Sequence, residues 1–188
     1  MKIIATDIAN LTDARYFAAW GVDMMCYTID EGAEGSMTIA QVKEIVDWVE
    51  GPATGIKMTG LTIPDTFSDI EVTVSAAILG PFIDRADLPS KDVDMYRICT
   101  LTDISQDTNK LILTLDTPVS KLSREQEEMI DTLTDSREVY IDGSFGAADL
   151  DKIRSLGAVG IVLKGGEEEK VGFKSFDELD EVLEAIFD

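Results

Sequence analysis

Short apolar runs alternate with amphipathic or polar stretches along the whole chain. The runs are KIIAT, DMMCYT, TGIKMT, IEVTVSA, DMYRICT, KLILTLD, EVYIDG and VGIVLK. Several are continuous rather than alternating, the mark of strands buried on both faces of a parallel sheet. Between many of them the apolar spacing changes to that of a helix. Thr38-Ile-Ala-Gln41 is a capping box, in which the two end side chains bond each other's backbone N–H. It leads a face of Ile39, Val42, Ile45, Val46 and Val49. Ser123-Arg-Glu-Gln126 opens a second helix with Met129, Ile130 and Leu133, and Ser175-Phe-Asp-Glu178 a third with Leu179, Val182, Leu183, Ile186 and Phe187. Asn10 or Thr12 is expected to cap the first helix, and Ala147–Leu156 to form a short one ended by Gly157.

The middle is less regular. LTIPDTFSD, AILGPFIDRADLPSKD and LTDISQDTN join strands without a long helical pattern, and Pro64, Pro81 and Pro89 interrupt the region. Alternating strands and helices define the α/β class. Eight candidate strands predict a (β/α)8 TIM barrel with reduced helices in the middle of the chain, as one domain over residues 1–188. An open doubly wound sheet of six strands is the alternative, and it demotes IEVTVSA and DMYRICT. Thin helices predict an apolar barrel wall covered either by loops or by a second copy in a homodimer. Trp20 and Trp48 fall on predicted helices and are expected to anchor packing; Tyr96 and Tyr140 belong to the core or the mouth.

Composition narrows the partners. The 188 residues carry 37 acidic and 16 basic side chains, a net charge of −21. Lys/Arg clusters that could displace phosphate counterions are lacking, so no nucleic-acid partner is expected. No apolar stretch approaches the roughly 20 residues of a membrane span, so no membrane partner is expected either. The opening lacks the layout of a secretory leader, and Cys26 and Cys99 sit inside apolar runs as buried, reduced thiols, which points to the cytoplasm. There is no His, so Ser–His triads, His metal ligation and imidazole acid–base chemistry are excluded.

Charged residues are costly inside apolar strands, yet here they recur near strand ends: Asp7, Lys57, Arg97, Asp116, Asp142 and Lys164. In a barrel those ends converge on one mouth. They make either a polar ligand site or a plug of paired charges. Lys164 with Gly165 and Gly166, next to Gly143-Ser144, offers a cation and close backbone N–H groups to a phosphate. A Schiff-base role for Lys57 or Lys164 requires apolar surroundings. Asp7, Asp116 and Asp142 could offer oxygens to Mg2+ or Ca2+, but no recognised ligand spacing accompanies them, so no metal and no cofactor is expected. Asp7 itself can cap the following turn. On a regular strand Thr6 and Asp7 face opposite sides, so Asp7 reaches the mouth only where the strand ends or bulges.

The opening IIATDIANLTDARYFAAWGVDMM resembles the start of the phosphoribosylanthranilate isomerases of tryptophan biosynthesis, with Ile8, Asn10, Leu11, Asp13, Ala14, Gly21 and Asp23 matching. Leu115-Asp116-Thr117 is similar to that family's Leu-Asp-Thr after strand six. Asp142-Gly143-Ser144 falls at its glycine loop after strand seven, and Leu163-Lys164-Gly165-Gly166 at its phosphate loop. The resemblance implies a (β/α)8 barrel that turns an aminoaldose into an aminoketose (an Amadori rearrangement), acting on a small phosphorylated sugar derivative. It implies Asp116 as general base. Thr6 stands where the family has its acid Cys, which leaves Asp7 as the candidate acid. The related Amadori isomerase of histidine biosynthesis uses Asp at two strand ends. The family's substrate-holding Arg falls near Glu34–Gly35 and is missing. The remaining residues, Lys57, Arg97, Asp142, Gly143, Ser144, Lys164, Gly165 and Gly166, are the expected substrate and phosphate contacts. The alternative is a barrel without that chemistry, working as a small-molecule binding or protein-interaction module.

Overall fold

A computed structural model describes residues 1–30, 35–60, 74–84, 88, 93–165 and 176–187. Eight parallel strands close into a ring in which each strand pairs with its neighbours in sequence and β8 returns to β1. The strands are β1 (Lys2–Thr6), β2 (Met24–Thr28), β3 (Ala53–Met58), β4 (Ala76–Leu79), β5 (Asp94–Cys99), β6 (Lys110–Thr114), β7 (Glu138–Asp142) and β8 (Gly160–Lys164). The helices are α1 (Leu11–Trp20), α2 (Ile39–Val46), α3 (Arg124–Thr134), α4 (Leu150–Ser155) and α5 (Asp177–Phe187). The barrel is therefore the expected (β/α)8 ring, and the open six-stranded sheet is overturned. DMYRICT, which that alternative demoted, is β5.

Alternation splits each strand between two cores. Ile4, Met24, Cys26, Ile78, Tyr96, Ile112, Tyr140 and Val162 fill the inside of the barrel. Ile3, Ala5, Met25, Tyr27, Ile56, Leu79, Leu111, Val139 and Ile161 face outward under the helices and loops. Tyr96 and Tyr140 meet edge to face inside, with ring centroids 5.6 Å apart. Small residues let the ring close tightly. A Cβ on Gly160 would stand 2.3 Å from the Lys2 carbonyl oxygen, and one on Gly55 would stand 2.5 Å from the Cys26 sulfur.

Both fully described capping boxes form: Thr38 with Gln41 before α2, and Ser123 with Gln126 before α3. Asn10 caps α1, accepting from the Asp13 N–H at 3.0 Å. One 3-10 turn, Ala147–Asp149, leads into α4, and Gly157 follows it in the left-handed region (φ 74°). Ser175 of the third predicted box lies outside the described residues. Tyr16 on α1 seals α5 to the barrel, donating to Asp180 at 2.6 Å and stacking on Phe176.

Two expectations need correction. β4 is AAIL, not IEVTVSA; Val74 and Ser75 precede the strand, and residues 70–73 lie outside the described set. Trp48 lies past the end of α2 and is 72% exposed, so it anchors no packing. The wall at β4–β6 is covered by loops, one of the two coverings expected. The β5–β6 connection, residues 100–109, has no helix, yet Leu79, Met95, Leu111 and Leu113 beneath this region are buried within the single chain. Leu88, Leu101 and Ile104 pack over it from loops. Among the described residues no helix is long and apolar enough to cross a membrane.

Candidate active site

The C-terminal rim of the barrel gathers most of the charged strand ends. Ile4 faces inward, so parity also turns Thr6 inward and would send Asp7 out. The backbone breaks that pattern. Asp7 has φ 56°, the single left-handed non-glycine among the described residues. Such a conformation costs a non-glycine residue roughly 1–3 kcal/mol and persists where the surroundings hold it. Here it carries the carboxylate over the rim. Oδ1 accepts from Lys57 Nζ at 2.7 Å and Thr28 Oγ1 at 3.2 Å, and Oδ2 from Thr6 Oγ1 at 3.4 Å. Asp7 therefore lies at the mouth and is not the helix cap, a role Asn10 fills.

Lys57, next to last in β3, lies on the inner face across from Thr28 in register, and only 17% of its side chain is exposed. A second pair closes the opposite arc. Lys164 Nζ on β8 lies 2.8 Å from Asp142 Oδ1 on β7, while Asp142 Oδ2 accepts from Thr114 Oγ1 at 3.3 Å. The Lys164 side chain is 51% exposed, so its ammonium stays within reach of solvent. Each lysine faces a carboxylate rather than the apolar surroundings a Schiff-base role requires. Asp116, just past β6, is exposed and is touched by the Thr117 hydroxyl at 3.4 Å. It shares the rim with Asp142 and Lys164 but contacts neither.

The glycine loops are partly committed. Gly143 packs on Leu115 so closely that a Cβ would stand 3.1 Å from the Leu115 Cβ. Ser144 is exposed, and its carbonyl accepts from the Val119 N–H at 3.1 Å. The Gly165 N–H donates to the Thr6 carbonyl at 3.1 Å, so this donor ties β8 to β1 rather than facing an anion. Gly166 lies outside the described residues.

Arg97 is not at the mouth. On β5 the inward residues are Tyr96 and Ile98, so Arg97 points through the outer wall, where it is buried. Its Nη1 donates to the Gly80 and Ile83 carbonyls at 2.6 and 2.8 Å, and its Nη2 pairs with Asp107 of the β5–β6 connection. Burial pushes the Asp107 carboxyl up, but hydrogen bonds from Arg97 and Ser105 and the guanidinium charge outweigh it and hold it below the ordinary value. A cleft of about 640 Å³ opens beside this pair, lined by Pro81, Phe82, Ile83, Asp103 and Gln106. Cys26 lies one inner layer below Lys57, and burial pushes its thiol far above the usual range, so it offers neither acid nor nucleophile.

Sequence reading missed the roles that four residues play around the rim. Thr6 and Thr28 hold Asp7. Asp30, buried after β2, accepts from the Thr59 N–H and hydroxyl at 2.7 and 2.6 Å and the Gly60 N–H at 3.0 Å, shaping the exit from β3. Asp13, fully buried at the start of α1, accepts from the Ala9 N–H at 3.3 Å and steadies the loop after Asp7. The polar TID directly after the apolar MMCY was the available signal for two of them.

A closed parallel barrel with its polar side chains gathered at the carboxyl ends of the strands is the (β/α)8 class. Within that class, the fold is the one found in phosphoribosylanthranilate isomerases. The chain superposes on the Thermus thermophilus enzyme with a TM-score of 0.78 at 16% identity, over 100% of this chain and 98% of that one. A phosphoribosylanthranilate isomerase in complex with reduced 1-(o-carboxyphenylamino)-1-deoxyribulose 5-phosphate gives 0.73 at 14% identity, covering 98% and 97%. Thiamine phosphate pyrophosphorylase from Pyrococcus furiosus also matches, with 0.64 at 12% identity over 99% and 95%. No protein-family model and no curated protein sequence matches the chain.

Proposed function

We propose that this barrel is an isomerase of the phosphoribosylanthranilate isomerase type, performing an Amadori rearrangement on a phosphorylated sugar amine. Asp116, exposed at the end of β6, is the base that removes the C2 proton. The Asp7–Lys57 pair at the ends of β1 and β3 forms the acid side. Lys164, with Gly143 and Ser144 at the neighbouring strand end, receives the phosphate, since the loops after strands seven and eight commonly hold it in such barrels. The observation that carries this reading is the left-handed Asp7, a strained residue that brings a carboxylate to the end of β1 although strand parity turns it away.

The test is complementation of a tryptophan auxotroph that lacks the isomerase. Growth with the wild-type gene and none with Asp116→Asn supports the enzyme. A folded protein that gives no growth, and whose melting temperature ignores phosphosugars, overturns it. One observation favours the binding-module reading instead: each rim lysine already faces a carboxylate, at 2.7 and 2.8 Å, so an incoming anion meets neutralised cations. Under that reading phosphosugars raise the melting temperature while isomerisation stays absent.

A further inference from the structure

The geometry points to Lys57, rather than Asp7, as the proton donor of the proposed isomerisation, with Asp7 as the residue that positions it. This rests on the isomerase reading above. Asp7 accepts three hydrogen bonds, from Lys57, Thr28 and Thr6, spread over both oxygens. Asp7 is the acceptor in all three bonds, so the geometry gives it the role of an acceptor and not of a donor. The pair still carries one transferable proton, and it resides on the Lys57 ammonium. That group makes one hydrogen bond, to Asp7, among the described residues. It sits in the inner layer at the end of β3, three strands around the ring from the end of β6 and Asp116. Lys164 is the less suitable donor because its side chain is half exposed, whereas Lys57 is largely enclosed.

The protons balance over a full turnover. The Lys57 ammonium protonates the ring oxygen as the C1–O bond breaks, leaving a neutral amine and an open-chain iminium. The Asp116 carboxylate takes the C2 proton and the C–H electron pair forms the enolamine. Ketonisation then returns the Asp116 proton to C1 and the enol hydroxyl proton to the Lys57 amine. Both groups finish as they began. The left-handed turn at Asp7 thus serves to place a counter-charge 2.7 Å from the Lys57 ammonium, which fixes where that group points.

Steady-state kinetics on purified variants test this. Lys57→Arg keeps a cation beside Asp7, and with it the folded structure, but gives up a proton poorly. We expect kcat to fall at least about 100-fold, with KM within a few-fold of wild type. Lys57→Ala should fall as far and regain activity with added methylammonium. Asp7→Asn keeps the ammonium and should lose less than either. Lys57→Arg with kcat near wild type, no rescue by methylammonium, or Asp7→Asn losing more than the Lys57 variants overturns the assignment while leaving the isomerase reading intact. A folded wild type without isomerase activity overturns both.

Discussion

Arg97 and Asp107 form an ion pair outside the barrel wall, at a place where a barrel of this class ordinarily carries a helix. The guanidinium also takes the Gly80 and Ile83 carbonyls, so one side chain joins the ends of two loops to β5. The coat over β4–β6 is therefore pinned by polar bonds as well as by Leu101 and Ile104.

Arg97→Met leaves two carbonyls without their donor and Asp107 without its counter-charge. We expect a loss of about 2–4 kcal/mol in urea unfolding, the range for breaking a largely buried pair. Because Arg97 lies outside the mouth, ligand affinity for the folded variant should be unchanged. A large change in phosphosugar binding with intact stability would contradict the placement.

Acid should weaken this clamp. The Asp107 carboxyl titrates below its unfolded value near 3.8. Its contribution is present in full above about pH 4 and disappears as the pH falls through the lower folded value. Urea midpoints measured from pH 6 down to pH 2 should drop more steeply for wild type than for Asp107→Asn. Parallel curves would show that Asp107 is not linked to folding.

At residue 7 the backbone and the side chain can be separated. Asp7→Ala loses the Lys57 pair and keeps the unfavourable φ; Asp7→Gly loses the pair and relieves the backbone. Glycine should be the more stable of the two by about 1 kcal/mol. Equal unfolding free energies would mean that residue 7 leaves the left-handed region in solution.

Gly160→Ala probes closure of the ring. The new methyl would overlap the Lys2 carbonyl and the Tyr140 ring, at 2.3 and 2.8 Å, where β8 meets β1. Overpacking of this kind costs about 1–3 kcal/mol. A neutral substitution, measured by thermal or urea unfolding, would show that the seam yields more easily than its geometry suggests.

Most of the barrel was legible because parallel strands buried on both faces leave continuous apolar runs. β4 was not, because AAIL is four residues long and opens on two alanines, while IEVTVSA beside it has the stronger β-branched pattern. At the rim, Lys57, Asp142 and Lys164 followed from their places at strand ends. Arg97 did not, although alternation within MYRIC, with Tyr96 and Ile98 inside, already turned it outward. Asp7 was opaque for another reason. Parity holds only for regular strands, and a single left-handed aspartate leaves no trace in the pattern of apolar positions. Trp48 looked like an anchor because its helix was read through Val49, three residues too long; α2 stops at Val46.

Ring closure has one more consequence. An open sheet ends in strands whose unpaired N–H and C=O groups can template the growth of fibrils. Here the last strand pairs with the first over five registered residues, from Lys2 with Gly160 to Thr6 with Lys164. Even with its helical coat thinned to loops on one side, the barrel presents no such terminus to a neighbouring molecule.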